Sequence, residues 1–230
     1  MRVLAIGDIH GSFEALLALA GAVRLTDDDL LITLGDYVDR GPDSAGVLDW
    51  LIERGKRGKL VPLLGNHERM MLDAGSDYVA REYWLSFGGE ATLASYLRRG
   101  GAGDLDEVPE AHWQFINRDC RKWYETDTHF FVHANALADV PLDEQRDHVL
   151  LWERFDDPAP HQSGKVMVCG HTPQSSGVPL NLGHAVCIDT WAYGAGWLTC
   201  LDVASGNYWQ ANQRRQTRQG KLSQPWPRPA

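Results

Sequence analysis

The chain is expected to fold as an α/β protein with two β-sheets packed face to face and helices outside them. Three observations predict this. In the first part of the chain, short apolar runs alternate with helical patterns in units of roughly 30 residues, as right-handed crossovers of a parallel sheet require. From His129 onward the helical pattern gives way to short strand-like runs. A length of 230 residues, 43% of them hydrophobic, suffices for one large domain with a substantial core.

Val3 to Ile6 reads as a buried strand, and Ser12 to Val23 as a helix with Ser12 as its N-cap and Phe13, Leu16, Leu17 and Ala20 inward. The acidic triplet Asp27-Asp28-Asp29 is a polar turn before a second strand, Leu30 to Leu34. Ser44 is placed to cap a second helix through Arg54, followed by a third strand, Leu60 to Leu64. Pro62 in that strand points to an edge or a bulge, since proline cannot donate to a ladder. Glu68 to Trp123 is helical, broken at Gly88-Gly89 and Gly100-Gly101. Its tryptophans, Trp84, Trp113 and Trp123, suit either helix packing on the sheet or an aromatic lid over a substrate. Later strands are expected at His129 to His133, Lys165 to Cys169, Ala185 to Ile188, Trp197 to Asp202 and Asn207 to Gln210, the last two joined by a hairpin at Ala204-Ser205-Gly206.

No apolar run reaches the roughly 20 residues of a membrane span. The N-terminus enters a strand directly, without a secretory signal pattern. Cys120, Cys169, Cys187 and Cys200 are scattered and read as reduced thiols, so a cytoplasmic protein is expected. A net charge of −9 gives the body no general affinity for nucleic acid or anionic membranes. Basic residues beyond Ala211 (Arg214, Arg215, Arg218, Lys221, Arg228), among glutamines and prolines, read as a flexible tail over 211–230. The domain itself is expected to span 1–210, and its oligomeric state is left open.

The chemistry gathers at five strand ends: Asp8 and His10 in GDIHG, Asp36, Asp39 and Arg40 in GDYVDRG, Asn66-His67-Glu68 in GNHE, His133 in FFVHA and His171 in VCGHT. Strand carboxyl ends line the ligand crevice of an open α/β sheet, so these five segments are expected to converge. Carboxylate, imidazole and amide oxygen without thiolate suit octahedral Mn²⁺ or Fe²⁺, or Zn²⁺ in a catalytic setting. Asp8 and His10, two residues apart, leave an extended strand on the same side and can share one ion. Asp36 is placed to bridge two ions, with Asn66, His133 and His171 completing the second. Asp39 can orient a neighbouring acid, and Arg40 can grip a phosphate in a bidentate fork. His112, His129, His148, His161 and His184 match no ligand position and read as structural or surface residues. Asp189, ending another strand, suits either a supporting role or turn chemistry.

GDIHG, GDYVDRG and GNHE in this order and spacing resemble the phosphoprotein phosphatase family of metallophosphoesterases, nearest to the small bacterial and lambda-phage-type serine/threonine phosphatases. The resemblance spans roughly residues 1–210. It implies a four-layer αββα sandwich of the calcineurin-like metallophosphoesterase fold, with a dinuclear centre. It puts Asp8, His10 and Asp36 on one metal, and Asp36, Asn66, His133 and His171 on the other. It also implies His67 as general acid held by Asp39, and Arg40 and Arg154 as phosphate ligands. Two departures stand out: His133-Ala134-Asn135 replaces the usual His-Gly-Gly, and His171-Thr172-Pro173 follows a variant typical of the bacterial branch and of dinucleoside tetraphosphatases.

The expected activity is hydrolysis of phosphoesters on proteins or small molecules by water activated between two divalent cations, Mn²⁺ first, with Fe²⁺, Zn²⁺ and Ni²⁺ as other occupants. The main alternative is symmetrical dinucleoside tetraphosphate hydrolysis by the same centre. Asp39-Arg40 and the Glu68 that follows His67 favour the phosphatase, because tetraphosphatases typically carry Ala-Arg and Asp there. A remote alternative is an inactive module that docks phosphorylated partners. No nucleic-acid or membrane partner is expected.

Overall fold

The computed structural model describes residues 1–223. Val3–Ile6 (β1), Leu30–Thr33 (β2) and Lys59–Pro62 (β3) lie side by side in parallel, linked by the helices Phe13–Val23 (α1) and Ser44–Arg57 (α2). Four helices follow: Asn66–Ala74 (α3), Tyr78–Trp84 (α4), Glu90–Leu97 (α5) and Glu110–Gln114 (α6), with a π-helical turn over Leu85–Gly89 joining α4 to α5. The second sheet begins with Trp123–Glu125 (β4) and His129–Val132 (β5). After Asp147–Trp152 (α7) it takes in Val166–Cys169 (β6), Leu180–Asn181 (β7) and Ala185–Cys187 (β8). Leu198–Asp202 (β9), Asn207–Ala211 (β10) and Thr217–Lys221 (β11) then return to the first sheet. The strand orders are β11-β10-β9-β1-β2-β3 and β4-β5-β6-β8-β7.

Side-chain alternation along the strands builds the layers, since successive residues face opposite sides of a sheet. Ala5, Ile32, Val61 and Leu201 of the first sheet meet Phe131, Val168 and Val186 of the second in one buried cluster. Their neighbours point the other way: Leu4 and Leu31 pack under Leu16, Leu19, Leu48 and Leu51 of α1 and α2. Phe130 and Met167 pack with Leu150 and Leu151 of α7. Helix, sheet, sheet and helix are therefore stacked in four layers, as the family resemblance implies. The parallel strands β1, β2, β3, β5, β6 and β8 all end on the loops that carry the candidate site.

Several local expectations are corrected. The first residues of the supposed tail are folded: β11 pairs with β10 from Asn207↔Lys221 to Ala211↔Thr217. Arg218 lies 4.3 Å over the Trp197 ring and donates to Gln210 and Gly177, and Arg215 pairs with Glu14. Arg215 and Arg218 have specific partners, Thr217–Lys221 is a strand of the sheet and Leu222 packs behind it, while Arg228 lies outside the described residues. Asp43, not Ser44, caps α2, accepting from Gly46 N at 2.9 Å, and the helix runs on to Arg57. The Ser44 hydroxyl is engaged by the backbone N–H of Asp39 instead. Ser12 makes no side-chain cap, and Trp123 belongs to a strand. Pro62 does lie in an edge strand.

Asp29, in the acidic turn, is buried and accepts from Arg2 Nε at 2.9 Å, Arg2 Nη2 at 2.6 Å, and the backbone N–H and hydroxyl of Thr26. The Arg2 hydrogen bond, opposed by burial and helped by Thr26, holds its carboxyl well below the usual range. A depressed carboxylate contributes stability above its unfolded pKa of about 4, and that contribution is lost as pH falls through its folded value. Asp29→Asn should therefore lower unfolding free energy by about 1.5–3 kcal/mol at pH 7, with the deficit shrinking below about pH 4, in urea titrations at a series of pH values. Leu222, just beyond β11, is 6% exposed in the inter-sheet cluster. Leu222→Ala should cost about 2–4 kcal/mol in the same assay, where a change in a flexible tail would cost nothing.

Candidate active site

Three backbone hydrogen bonds tie the first two motif loops together. The N–H groups of Ile9 and His10 both donate to Asp36 O, at 3.0 and 2.7 Å, and Gly11 N donates to Tyr37 O at 2.8 Å. The third motif is held by Glu68, which is fully buried. One of its oxygens accepts from Tyr37 N at 2.7 Å and Val38 N at 3.1 Å, and the other from Asp36 N at 2.8 Å and Gly65 N at 3.0 Å. The backbones approach so closely that a Cβ on Gly35, at φ +98°, would come within 2.6 Å of Gly65 N. His10, Asp36, Asp39, Arg40 and His171 all have positive φ, between +44° and +72°. Each such non-glycine residue costs of order 1–3 kcal/mol, and strain of this kind collects at functional sites.

Backbone carbonyls at the end of β2, in the loop after it and at the end of α7 orient the imidazoles. His133 Nδ1–H donates to Leu34 O at 2.7 Å, His10 Nδ1–H to Val38 O at 2.8 Å, and His171 Nε2–H to Trp152 O at 3.2 Å. With one nitrogen of each ring donating, the other can present only a lone pair. Those lone pairs converge on oxygens: His133 Nε2 is 2.9 Å and His171 Nδ1 3.0 Å from Asn66 Oδ1, and His133 Nε2 is 3.4 Å from Asp36 Oδ1. On the other side, His10 Nε2 lies 3.3 Å from Asp36 Oδ2. Two groups suited to an ion result, His10, Asp36 and His67, and Asp36, His133 and His171, and they share Asp36. Electron-pair donors packed this closely repel one another unless a cation sits among them, so the donor set fits two divalent ions bridged by one carboxylate.

The electrostatics agree with that protonation pattern. Burial lowers the pKa of His133 and takes His171 down to about 4, which favours neutral rings. Burial acts to raise Asp36, but its close contacts with the imidazoles of His133, His67 and His10 outweigh it and hold the carboxyl well below its usual value. Neutral imidazole and ionised carboxylate are the forms a metal requires. Asp8 stands slightly apart. Its oxygens accept from His171 N at 3.0 and 3.1 Å, and burial with Asp189 and Asp36 nearby pushes its carboxyl well up.

His67 is 1% exposed, with its Nδ1 2.7 Å from Asp39 Oδ2 and its Nε2 4.0 Å from Asp36 Oδ2. Asp39 belongs to neither ligand group. Arg40 is exposed, with Nη1 2.9 Å from His10 Nε2 and its guanidinium 4.6 Å over the Tyr193 ring. Arg154 is not brought into the cluster. Its side chain is 68% exposed, 3.9 Å from Asp156, although its backbone carbonyl accepts from Asn135. Four of the five other histidines have structural settings or none: His112 bonds Tyr96 and Asp49, His161 bonds Val140 O, His184 bonds Pro158 O, and His148 is exposed.

Comparison with known proteins places this geometry. A family model described as calcineurin-like phosphoesterase matches residues 1–204. This chain belongs to the calcineurin-like phosphoesterase family. Serine/threonine-protein phosphatase 1 of Salmonella typhimurium is 40% identical over 209 residues, 88% of this chain and 92% of that protein. The symmetrical bis(5'-nucleosyl)-tetraphosphatase of the same organism is 42% identical over only 73 residues, 31% of this chain and 25% of its own. Among solved structures, a cold-active protein-tyrosine phosphatase of a Shewanella species aligns with a TM-score of 0.67 and 17% identity, covering 95% of this chain and 80% of that one. A protein serine/threonine phosphatase of Saccharomyces cerevisiae aligns with a TM-score of 0.60 and 17% identity, covering 89% and 73%. Likeness at such low identity reports the fold. The family makes this chain a hydrolase of phosphate esters and implies divalent metal ions.

The sequence left the parts of some residues at this phosphoesterase site open or unseen. Glu68 was one of the strand-end polar groups and a mark separating two branches, without a structural part of its own, although its position at the third residue of α3, after Gly65, carries capping-box spacing. Tyr193, 4.9 Å from His10 ring to ring, carries no motif at all. Asp189 is fully buried, its pKa raised to about 6 chiefly by burial. Glu68→Gln would place an NH₂ against two of four backbone donors. It should lower unfolding free energy by about 2–4 kcal/mol and weaken Mn²⁺ binding, measured by urea titration in chelator and by calorimetry.

Proposed function

We propose that this phosphoesterase is a serine/threonine protein phosphatase, releasing phosphate from phosphorylated proteins and small phosphate monoesters. The similarity to a bacterial serine/threonine phosphatase over 92% of that relative carries the reading. The tetraphosphatase similarity, confined to a quarter of its relative, supports the second reading, symmetrical dinucleoside tetraphosphate hydrolysis. Asp8, His10 and Asp36 would hold one divalent ion, and Asp36, Asn66, His133 and His171 the other, with Mn²⁺ proposed first and Fe²⁺, Zn²⁺ or Ni²⁺ as alternatives. When bound, such ions supply Lewis-acid charge and lower the pKa of water.

The chain's own groups would do the rest. Arg40, exposed beside the cluster, would take the phosphoryl oxygens in a fork, and Arg154 would add a second cation by swinging from the surface. His67 would protonate the departing alkoxide. Its Nδ1–H bond to Asp39 fixes the ring so that Nε2 faces Asp36, and favours the charged ring that burial disfavours. Buried loop backbone keeps Asp39 and His67 away from bulk water, which strengthens that pairing. No helix among the described residues is long and apolar enough to cross a membrane, and the four cysteines are free thiols, which supports the proposal of a cytoplasmic protein.

With Mn²⁺ supplied, phosphate release from a phosphoserine peptide should exceed cleavage of diadenosine tetraphosphate, and His67→Asn should lower peptide turnover by about 10²-fold or more while Mn²⁺ stays bound. The reverse order of substrates would favour the tetraphosphatase, and binding of both metals without turnover of either substrate would make the chain a phosphate-binding module.

A further inference from the structure

Asp39 is fully buried, and its partners come from an unexpected part of the chain. The indole N–H of Trp84, the last residue of α4, donates to both carboxylate oxygens, at 3.0 Å to Oδ1 and 2.9 Å to Oδ2. The hydroxyl of Thr92 in α5 donates to Oδ1 at 2.8 Å and accepts from Asp39 N at 2.8 Å. One residue on, Arg40 N donates to Gly88 O at 3.1 Å, in the turn between those helices. Five hydrogen bonds to one helical hairpin thus hold two consecutive residues, both in the strained left-handed region.

The hairpin is shaped for this. Gly88, at φ +110°, lets the chain reverse within a π-helical turn, and a Cβ there would come within 2.9 Å of the Arg40 side chain. A Cβ on Gly89 would come within 2.5 Å of the Trp84 ring. Without that reversal Trp84 and Thr92 could not both face Asp39.

Resting on the assignment of His67 as general acid, we propose that Trp84 and Thr92 are positioning residues that fix the plane of the Asp39 carboxylate, and through it the His67 ring. A carboxylate is free to rotate about its last torsion. Donors on its far side remove that freedom, leaving Oδ2 turned to His67 Nδ1. The α4–α5 hairpin therefore acts on proton delivery to the leaving group, not on metal binding.

The distinguishing readout is dependence on the leaving group. An alkyl phosphate needs a proton on the departing oxygen, whereas p-nitrophenolate leaves with little help. For Mn²⁺-loaded Trp84→Phe and Thr92→Val, the ratio of kcat on an alkyl phosphate to kcat on p-nitrophenyl phosphate should fall about tenfold or more, with Mn²⁺ affinity retained. Thr92→Ser should restore the ratio. In a His67→Asn background, Trp84→Phe should change the ratio no further. In metal-free protein, the downfield Nδ1–H proton resonance of His67 should broaden or move upfield in Trp84→Phe and in Thr92→Val, but not in Thr92→Ser. Equal loss on both substrates, full additivity with His67→Asn, or an unmoved resonance would overturn the proposal. If His67→Asn itself left the ratio unchanged in an active enzyme, the acid assignment and this inference would fall together. If His67→Asn lowered the ratio and Trp84→Phe and Thr92→Val did not, this inference alone would fail.

Discussion

The Glu68 carboxylate, sealed from solvent, accepts the backbone N–H groups of Asp36, Tyr37, Val38 and Gly65. Everything at the site depends on that clamp. A tight loop containing Asp36, Asp39 and Arg40 at positive φ stores several kcal/mol of strain, which four hydrogen bonds to one buried side chain oppose. The same contacts lock the end of β2 to the start of α3, where Asn66 and His67 sit, with Glu68 in the first turn of that helix. Burial and Asp36 push Glu68 up to about 8 despite those donors, so the clamp works against an electrostatic cost from the ligand beside it.

Around the clamp, the sheets provide a second layer of control. Parallel strands leave carbonyls unpaired at their carboxyl ends, and the site uses backbone carbonyls of these loops to fix tautomers. Leu34 O, Val38 O and Trp152 O each take one imidazole proton, so His133, His10 and His171 turn bare nitrogens inward. Asn66 Oδ1 and the two oxygens of Asp36 complete a surface made of electron pairs. Asp39 is the exception within its loop. It faces the opposite way, into donors from Trp84, Thr92 and His67, and lies outside both groups suited to an ion.

Much of this was legible in the residues. The first-half alternation placed β1, α1, β2, α2 and β3 to within a few residues, because each strand is bounded by glycine or acidic turns. The motif residues were legible because each segment ends a strand in polar groups, four of the five with glycine, a pattern that packing alone does not require. Less was visible where tertiary partners decide. Ser44 has the chemistry of an N-cap, yet Asp43 takes that role and leaves Ser44 to Asp39. The stretch 211–223 has a disordered composition, but β10 offers it an open edge, and Arg218 finds an aromatic face. The tryptophans of the helical region admitted packing or a lid. Trp84 is fully buried and uses its one polar atom on Asp39.

What the sequence alone determined was the set of groups and their strand-end placement: which residues can ligate, which can bind phosphate, and that parallel topology must gather them. Only the tertiary structure decided their division of labour within Gly35–Gly41. Asp36 and Asp39 are the same residue type three positions apart, both buried and both at positive φ. Their roles differ because the fold surrounds one carboxylate with lone pairs and the other with N–H and O–H donors. That difference arises from residues 26 to 135 positions away in the chain, which no local pattern encodes.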